Sequence, residues 1–154
     1  MPLRRDIPLF QLEAEDGALR GTREAWQRRE MLVALLHANC DGCQALHREL
    51  QARAPGWRRD EVELISVMMP GRPGEPLLPG ALRDDPEGTV AWRLAEVSGR
   101  VPGTATLSVA NRFGEFYGVV DVHGRSTSEV LAEALAWVDL AQRQCGECSA
   151  PLWE

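Results

Sequence analysis

The chain has 154 residues, of which 44% are hydrophobic, and a formal net charge of −6, which predicts one folded domain and not a disordered chain. Its arginines are scattered among acidic residues, which argues against a nucleic-acid partner. No apolar run approaches the ~18 residues of a membrane span. Because no apolar segment follows the two arginines near the start, we expect a cytoplasmic protein without a membrane partner.

The first part of the chain carries two strand patterns separated by a short helix pattern. Residues 7–17 alternate apolar and polar side chains and end in Asp-Gly, which predicts a short strand and a turn. Residues 22–30 are typical of a short helix. The continuous apolar run MLVALLH, residues 31–37, predicts a central strand that is covered on both faces.

A helix is expected directly after this strand, from Cys40 to about Ala54, where the sequence APGW should end it. Its apolar stripe has the spacing of one helical face. A second strand is expected at residues 61–69, followed by a proline-rich loop at residues 70–80. The residues of the helical stripe are Cys43, Leu46, His47 and Leu50.

The second half of the chain predicts a helix, a hairpin and a closing helix. Ser126 and Glu129 have the spacing of a capping box, which predicts where the closing helix begins. The order β-α-β-α-β-β-α after a β-rich start indicates an α/β fold with a central mixed β-sheet flanked by helices. The predicted elements are an N-terminal turn and then a helix ending at Val97 within residues 84–97, hairpin strands at 104–110 and 115–122, and a helix at 126–143.

All four cysteines lie in two Cys-x-x-Cys pairs, Cys40 with Cys43 and Cys145 with Cys148. In a reducing compartment such thiols are more often catalytic or metal-bound than structural disulfides. Cys40 falls where a strand ends and a helix begins, so the helix dipole and free N–H groups should favour its thiolate. Cys43 comes one turn later and could attack a mixed disulfide on Cys40. The first pair therefore predicts dithiol exchange, with Cys40 and Cys43 as the catalytic residues.

The stretch MLVALLHANCDGCQALHREL resembles the active-site segment of the thioredoxin-like superfamily. The segments IPLFQLEAEDG, DDPEGTVAWRL and TATLSVANRFGEFYG are similar to its peroxiredoxin-like (alkyl hydroperoxide reductase/thiol-specific antioxidant) and thiol–disulfide reductase branch. The resemblance implies a thioredoxin-like fold with an N-terminal β extension over residues 1–143, followed by a C-terminal tail at 144–154. It implies disulfide reductase activity and suggests an antioxidant role.

Several positions depart from those families. The proline that thioredoxins place in a cis peptide bond before the strand facing the dithiol corresponds to Ala105, and their buried acid corresponds to Ala34. The proline and threonine of the peroxiredoxin motif correspond to Val33 and His37. The residues that handle protons in these families are therefore missing, and we expect only weak peroxidase activity.

Two residues beside the first pair are candidate accessory groups. His37 could act as a base or a cationic neighbour of Cys40, although a hydrogen bond to the backbone is the more frequent role of such a histidine. Asp41 places a negative charge beside Cys40, which should oppose the effect of the helix dipole on the Cys40 thiol. His47 could complete a zinc site with the first pair, but its place in an apolar stripe favours a hydrogen-bonded core residue. His123 is expected in a loop.

The second pair leaves three alternatives open: a second redox pair that recharges the first, half of a metal site at Cys145 and Cys148 completed by another chain, or an inert exposed pair. We predict a thiol–disulfide oxidoreductase without a cofactor that acts on a protein disulfide or a small thiol and could form a homodimer. The alternative is a non-catalytic thioredoxin-fold protein whose pairs bind zinc or a partner.

Overall fold

The computed structural model describes residues 5–72 and 74–148, with side chains through residue 143. The structure contains a five-stranded mixed sheet in the order β5 (Leu82–Arg83), β4 (Val62–Met68), β3 (Glu30–Leu36), β6 (Thr106–Ala110) and β7 (Phe116–Asp121). Strand β3 is parallel to β4 and antiparallel to β6. A separate two-stranded hairpin precedes it. The elements are β1 (Leu12–Glu13), β2 (Leu19–Arg20), α1 (Thr22–Ala25), β3 (Glu30–Leu36), α2 (Asp41–Arg59), β4 (Val62–Met68), β5 (Leu82–Arg83), α3 (Thr89–Ser98), β6 (Thr106–Ala110), β7 (Phe116–Asp121) and α4 (Thr127–Cys148).

The central strand β3 is the core of the molecule. Each of its residues is buried, as the continuous apolar run predicted, so both faces of the sheet are covered there. Helix α2 packs on β4, helix α4 packs on β3, β6 and β7, and the two helices contact each other. The predicted α/β fold with a central mixed sheet flanked by helices is confirmed, with the β1–β2 hairpin as a small N-terminal extension.

Two predicted helix ends were wrong. Helix α2 continues through Pro55 and ends at Arg59, although APGW was expected to stop it. A proline removes one N–H from the helix, but the following Trp57 packs against the core and holds the last turn in place. Helix α4 was expected to end at Arg143, and its backbone continues through Gly146 to Cys148.

The start of α4 agrees with the capping-box prediction. The backbone N–H of Glu129 donates to the Ser126 hydroxyl at 3.2 Å. This bond satisfies one of the helix's free N–H groups and fixes the turn between β7 and α4. That turn also carries His123.

Candidate functional site

The first cysteine pair lies where the buried strand β3 ends and helix α2 begins. Cys40 is the N-cap residue of α2, with extended backbone angles (φ −104°, ψ 120°). The backbone N–H of Cys43 donates to the Cys40 sulfur across 3.3 Å. The structure thus places Cys40 at the helix N-terminus, as predicted, where its sulfur accepts an N–H bond.

The two sulfurs have different environments. Cys40 is partly exposed, whereas Cys43 is 0% exposed, and both are free thiols. Burial, with smaller contributions from a hydrogen bond and a charge interaction with Cys40, raises the pKa of the Cys43 thiol to about 12, although the His37 backbone lowers it. Cys43 therefore stays protonated at neutral pH, so Cys40 is the sulfur that can react first with an external disulfide.

His37 precedes Cys40 by three residues, but its ring is hydrogen-bonded to a backbone carbonyl. Its Nε2 atom donates to the backbone carbonyl of Gly103 at 2.7 Å, since a carbonyl can only accept. Its ring also stacks on that of His123, with centroids 6.1 Å apart and an interplanar angle of 29°. The backbone hydrogen bond that the sequence favoured is thus confirmed, and Nε2 is not the atom that would serve Cys40 as a base.

Asp41 and Gln44 complete the first turn of α2. Asp41 is exposed, so water screens its charge from Cys40 and an acid in this turn favours the helix dipole. The Gln44 side chain donates from Nε2 to the carbonyl of Ala38 at 2.6 Å. This bond ties the strand-to-helix turn to the helix that follows it. This role was not predictable from the sequence, because a glutamine in a helix is usually a surface residue.

The loop that precedes β6 runs from Val101 to Ala105. No cis peptide bond occurs in residues 5–72 and 74–148, so Ala105 takes the place of the expected proline in a trans bond. Ala105 is fully buried, and its carbonyl accepts from the N–H of Val122 at 3.1 Å. Pro102 is exposed and lies earlier in the same loop.

His47 is a hydrogen-bonded core residue, as its place in the apolar stripe favoured. It is 2% exposed, Nδ1 lies 3.0 Å from the Ser66 hydroxyl, and Nε2 lies 2.6 Å from the Pro79 carbonyl. Both ring nitrogens are therefore occupied, and His47 cannot join the cysteines as a metal ligand. Within the part of the chain that the structure describes, no cluster of three or more His, Cys, Asp or Glu side chains could hold a metal ion.

The second pair lies at the end of α4. The backbone of Cys145 and Cys148 belongs to this helix, and their side chains lie outside the described residues, as does the tail at 149–154. The three alternatives for this pair therefore stay predictions. Among the helices in the described ranges, none is long and apolar enough to cross a lipid bilayer.

Comparisons with known proteins show the fold of this chain and do not show its function. No protein-family model matches the sequence. No curated protein matches it significantly. Among solved structures, a thioredoxin-family thiol:disulfide interchange protein from Chlorobium tepidum TLS has a TM-score of 0.67 at 14% identity, covering 90% of this chain and 98% of that one.

Two further structures are similar over most of their length. Peroxidoxin BcpB from Mycobacterium tuberculosis has a TM-score of 0.68 at 15% identity, covering 89% of this chain and 96% of its own. The exposed lipoprotein thioredoxin of Streptococcus pneumoniae strain TIGR4 has a TM-score of 0.61 at 16% identity, with coverages of 84% and 99%. These similarities show that the chain has a thioredoxin-like fold.

Proposed function

We propose that this chain, which has a thioredoxin-like fold, is a thiol–disulfide oxidoreductase whose reactive pair is Cys40 and Cys43. The observation that carries the proposal is the inequality of the two sulfurs at one helix N-terminus. Cys40 is partly exposed and accepts an N–H bond, and Cys43 is fully buried one turn later. Dithiol exchange needs one exposed, activated sulfur and one protected sulfur beside it.

The reaction balances with the two thiols alone. The Cys40 thiolate attacks one sulfur of a substrate disulfide, the substrate S–S bond breaks, and the departing sulfur takes up a proton. The Cys43 thiol then loses its proton and attacks the Cys40 sulfur, which releases the second substrate thiol and leaves a Cys40–Cys43 disulfide. Two electrons pass from the protein to the substrate, and a second dithiol must reduce the protein for another cycle.

The contacts between the two sulfurs make a smaller contribution than burial to the raised pKa of Cys43, and this contribution changes during the reaction. While Cys40 is a thiolate, its charge and hydrogen bond help to keep the pKa of Cys43 high. Once Cys40 is bonded to the substrate, that contribution is lost. The His37 backbone, which lowers the pKa of Cys43, still acts on it. Formation of the mixed disulfide therefore makes the resolving thiol easier to deprotonate.

The proposed substrate is a protein disulfide or a small disulfide-forming thiol, and the proposed reaction uses no cofactor. Solved structures of similar fold are named a thiol:disulfide interchange protein and a lipoprotein thioredoxin, which supports this class of substrate. A role in antioxidant defence would follow if the substrates are oxidised proteins. A cytoplasmic location and a homodimer belong to the proposal as predictions that fractionation and light scattering would test.

The test uses two single variants and one control. With a disulfide-bonded protein as substrate and dithiothreitol as reductant, Cys40→Ser should abolish reduction above background. Cys43→Ser should accumulate a mixed disulfide that mass spectrometry detects at Cys40. The control is the double variant Cys145→Ser/Cys148→Ser, which should still reduce the substrate disulfide through Cys40 and Cys43.

Metal analysis separates the proposal from the non-catalytic alternative. Purified, freshly reduced protein should hold no stoichiometric zinc at the first pair, and both thiols of that pair should react once the protein is unfolded. Two results would contradict the oxidoreductase proposal. One is full activity in Cys40→Ser. The other is stoichiometric zinc in the wild type that is lost only when Cys40 or Cys43 is replaced.

A further inference from the structure

The end of the molecule away from the dithiol carries two exposed aromatic side chains on adjoining segments. Trp26, which follows α1, and Phe113, in the turn between β6 and β7, are 40% and 44% exposed. The segments are joined because the N–H of Gln27 donates to the Arg112 carbonyl. The Trp26 ring also lies over Gly114, where an added Cβ would be 3.7 Å from its Cδ1 atom. Trp26 and Phe113 together form what we call the aromatic patch.

Helix α4 brings the chain to this same end of the molecule. The Gln142 side chain donates to the carbonyl of Asp60, the C-cap residue of α2, at 3.0 Å. The next residue, Glu61, accepts from the guanidinium of Arg112 at 3.1 Å, and Arg112 directly precedes Phe113. A short series of contacts therefore connects the last turns of α4 with the aromatic patch.

The sequence continues beyond α4 with SAPLWE at 149–154. Six extended residues span about 20 Å at ~3.3 Å per residue. Helix α4 carries position 148 about 9 Å past Gln142 along its axis, at ~1.5 Å per residue. Strand β4 begins, and strand β6 ends, at this edge of the sheet, and they are two positions apart in the strand order, or about 10 Å. The segment is therefore long enough to turn back from the helix end and reach the patch.

The side chains of this segment complement the surface in polarity and charge. Leu152 and Trp153 are large and apolar, and Glu154 is acidic. Arg28, two residues after Trp26, is exposed, and no ion pair among the described residues involves it. Aromatic rings pack favourably on one another, and an arginine binds a carboxylate. Two apolar side chains and an acid thus match two exposed rings and a cation.

We propose that residues 149–154 fold back and dock on the aromatic patch of their own chain. Leu152 and Trp153 would cover the two exposed rings, and the Glu154 carboxylate would pair with Arg28. The docked segment would hold the last turns of α4, and with them the second cysteine pair, at the end of the molecule away from the first pair. This docking is independent of the proposed redox chemistry, because none of its residues belongs to the candidate site.

Chymotrypsin, which cleaves after large apolar side chains, tests the docking on the full, folded and reduced chain. Mass spectrometry after brief digestion measures the rate of cleavage after residues 152 and 153, which follows the fraction of molecules whose segment is undocked. Phe113→Ser should accelerate this cleavage about two- to tenfold, the effect of one lost aromatic contact. The matched control is Trp92→Ser, which removes a 56% exposed ring from α3 and should leave the rate unchanged.

Two further variants test the ion pair and the apolar anchor separately. Arg28→Gln should also accelerate cleavage, and its difference from the wild type should shrink at high salt, which screens an exposed ion pair. In Trp153→Ala, hydrogen–deuterium exchange should become faster in residues 24–28 and 111–114, because the patch loses its cover. This second measurement requires no protease and leaves the patch residues unchanged.

Two results would overturn the proposal. One is equal cleavage in the wild type and Phe113→Ser together with unchanged exchange in Trp153→Ala, which would mean that the segment does not contact the patch. The other is protection that increases with protein concentration and is absent where light scattering finds only monomer, since the occupant would then be a second copy of the chain. If Phe113→Ser does not fold, the exchange of Trp153→Ala decides.

Discussion

The backbone N–H of Cys43 lies 3.3 Å from the sulfur of Cys40, so the first turn of α2 points a donor at the exposed cysteine and keeps the other cysteine buried. This relationship predicts the order in which the two thiols react. At neutral pH iodoacetamide should modify Cys40 while Cys43 stays unmodified. A thiol whose pKa is about 12 instead of 9.0 has about a thousandfold less thiolate.

The measurement is peptide mass mapping after brief alkylation of the folded, reduced protein. Cys40→Ser is the matched control, because it removes the neighbouring sulfur but leaves Cys43 buried. In this variant Cys43 should be labelled faster than in the wild type, because the contribution of Cys40 to its pKa is removed. Labelling should still be slow, since burial, the largest cause of the raised pKa, remains. Modification of Cys43 before Cys40 in the wild type would reverse the two assigned roles.

The same raised pKa predicts how stability depends on alkaline pH. Between about pH 9 and pH 12 the Cys43 thiol has lost its proton in the unfolded chain but keeps it in the folded one. The unfolded state then binds fewer protons, so the free energy of unfolding should fall as pH rises through this interval. The contribution is fully present below pH 9 and is lost as pH approaches the folded pKa.

Chemical denaturation of the reduced protein at several pH values tests this prediction. The control is Cys43→Ala, which removes the titrating group and keeps a small apolar side chain. The difference in unfolding free energy between wild type and variant should shrink steadily above pH 9. A difference that is constant to pH 11 would show that Cys43 is more accessible to water than the structure indicates.

The ends of the central strands that lie away from the dithiol are joined by an ion pair that the sequence did not reveal. The guanidinium of Arg112, which follows β6, donates to both carboxylate oxygens of Glu30 at 2.9 and 3.1 Å and to Glu61 at 3.1 Å. The Glu30 side chain is 1% exposed. Bonding to Glu30 raises the pKa of Arg112, so the arginine stays charged at every accessible pH. The ends of β3, β4 and β6 are joined in this way.

We therefore predict that Arg112→Met lowers the free energy of unfolding by about 3–5 kcal/mol, because a buried carboxylate would be left unpaired. The double variant with Glu30→Gln should recover part of this loss, since the charge is then removed along with its partner. Urea denaturation measures both. A loss below about 1 kcal/mol for Arg112→Met would mean that water reaches Glu30 when the arginine is removed.

The strands and helices that pack on the core were largely predictable, because their apolar spacing is local. The exceptions have tertiary causes. Helix α2 passes Pro55 because Trp57 packs on the core beyond it. Strand β5 has only two residues, too few for any periodicity, and it exists because it pairs with the end of β4. Nothing in the sequence showed that Trp137 covers Gly118, where an added Cβ would lie 2.4 Å from its ring.

The candidate site also has features that were predictable from the sequence and features that were not. The spacing and the preceding apolar run located Cys40 at the helix start, because both are local signals. The partner of the His37 ring was not predictable, since Gly103 lies 66 residues away and contributes only a backbone carbonyl. The burial that makes Cys43 unreactive also depends on the folded sheet and helix around it.

The last prediction concerns the distance between the two cysteine pairs. Helix α4 begins at Thr127, just after the turn whose His123 ring stacks on His37 beside the dithiol. At ~1.5 Å per residue, its backbone carries position 145 about 27 Å along the axis from this start. A zinc ion needs its four sulfurs within about 2.3 Å of one point. The two pairs of one chain should therefore form neither a shared zinc site nor a mixed disulfide.

Mild oxidation followed by peptide mapping under non-reducing conditions tests this distance. Monomer separated from any dimer should contain the Cys40–Cys43 link and no peptide that joins Cys40 or Cys43 to Cys145 or Cys148. Links between the pairs, if they form, should occur only in the dimer fraction, where a second chain can bring its own α4 terminus to the dithiol. A cross-linked peptide from the monomer would require the last turns of α4 to unwind, and it would refute the straight helix on which this distance rests.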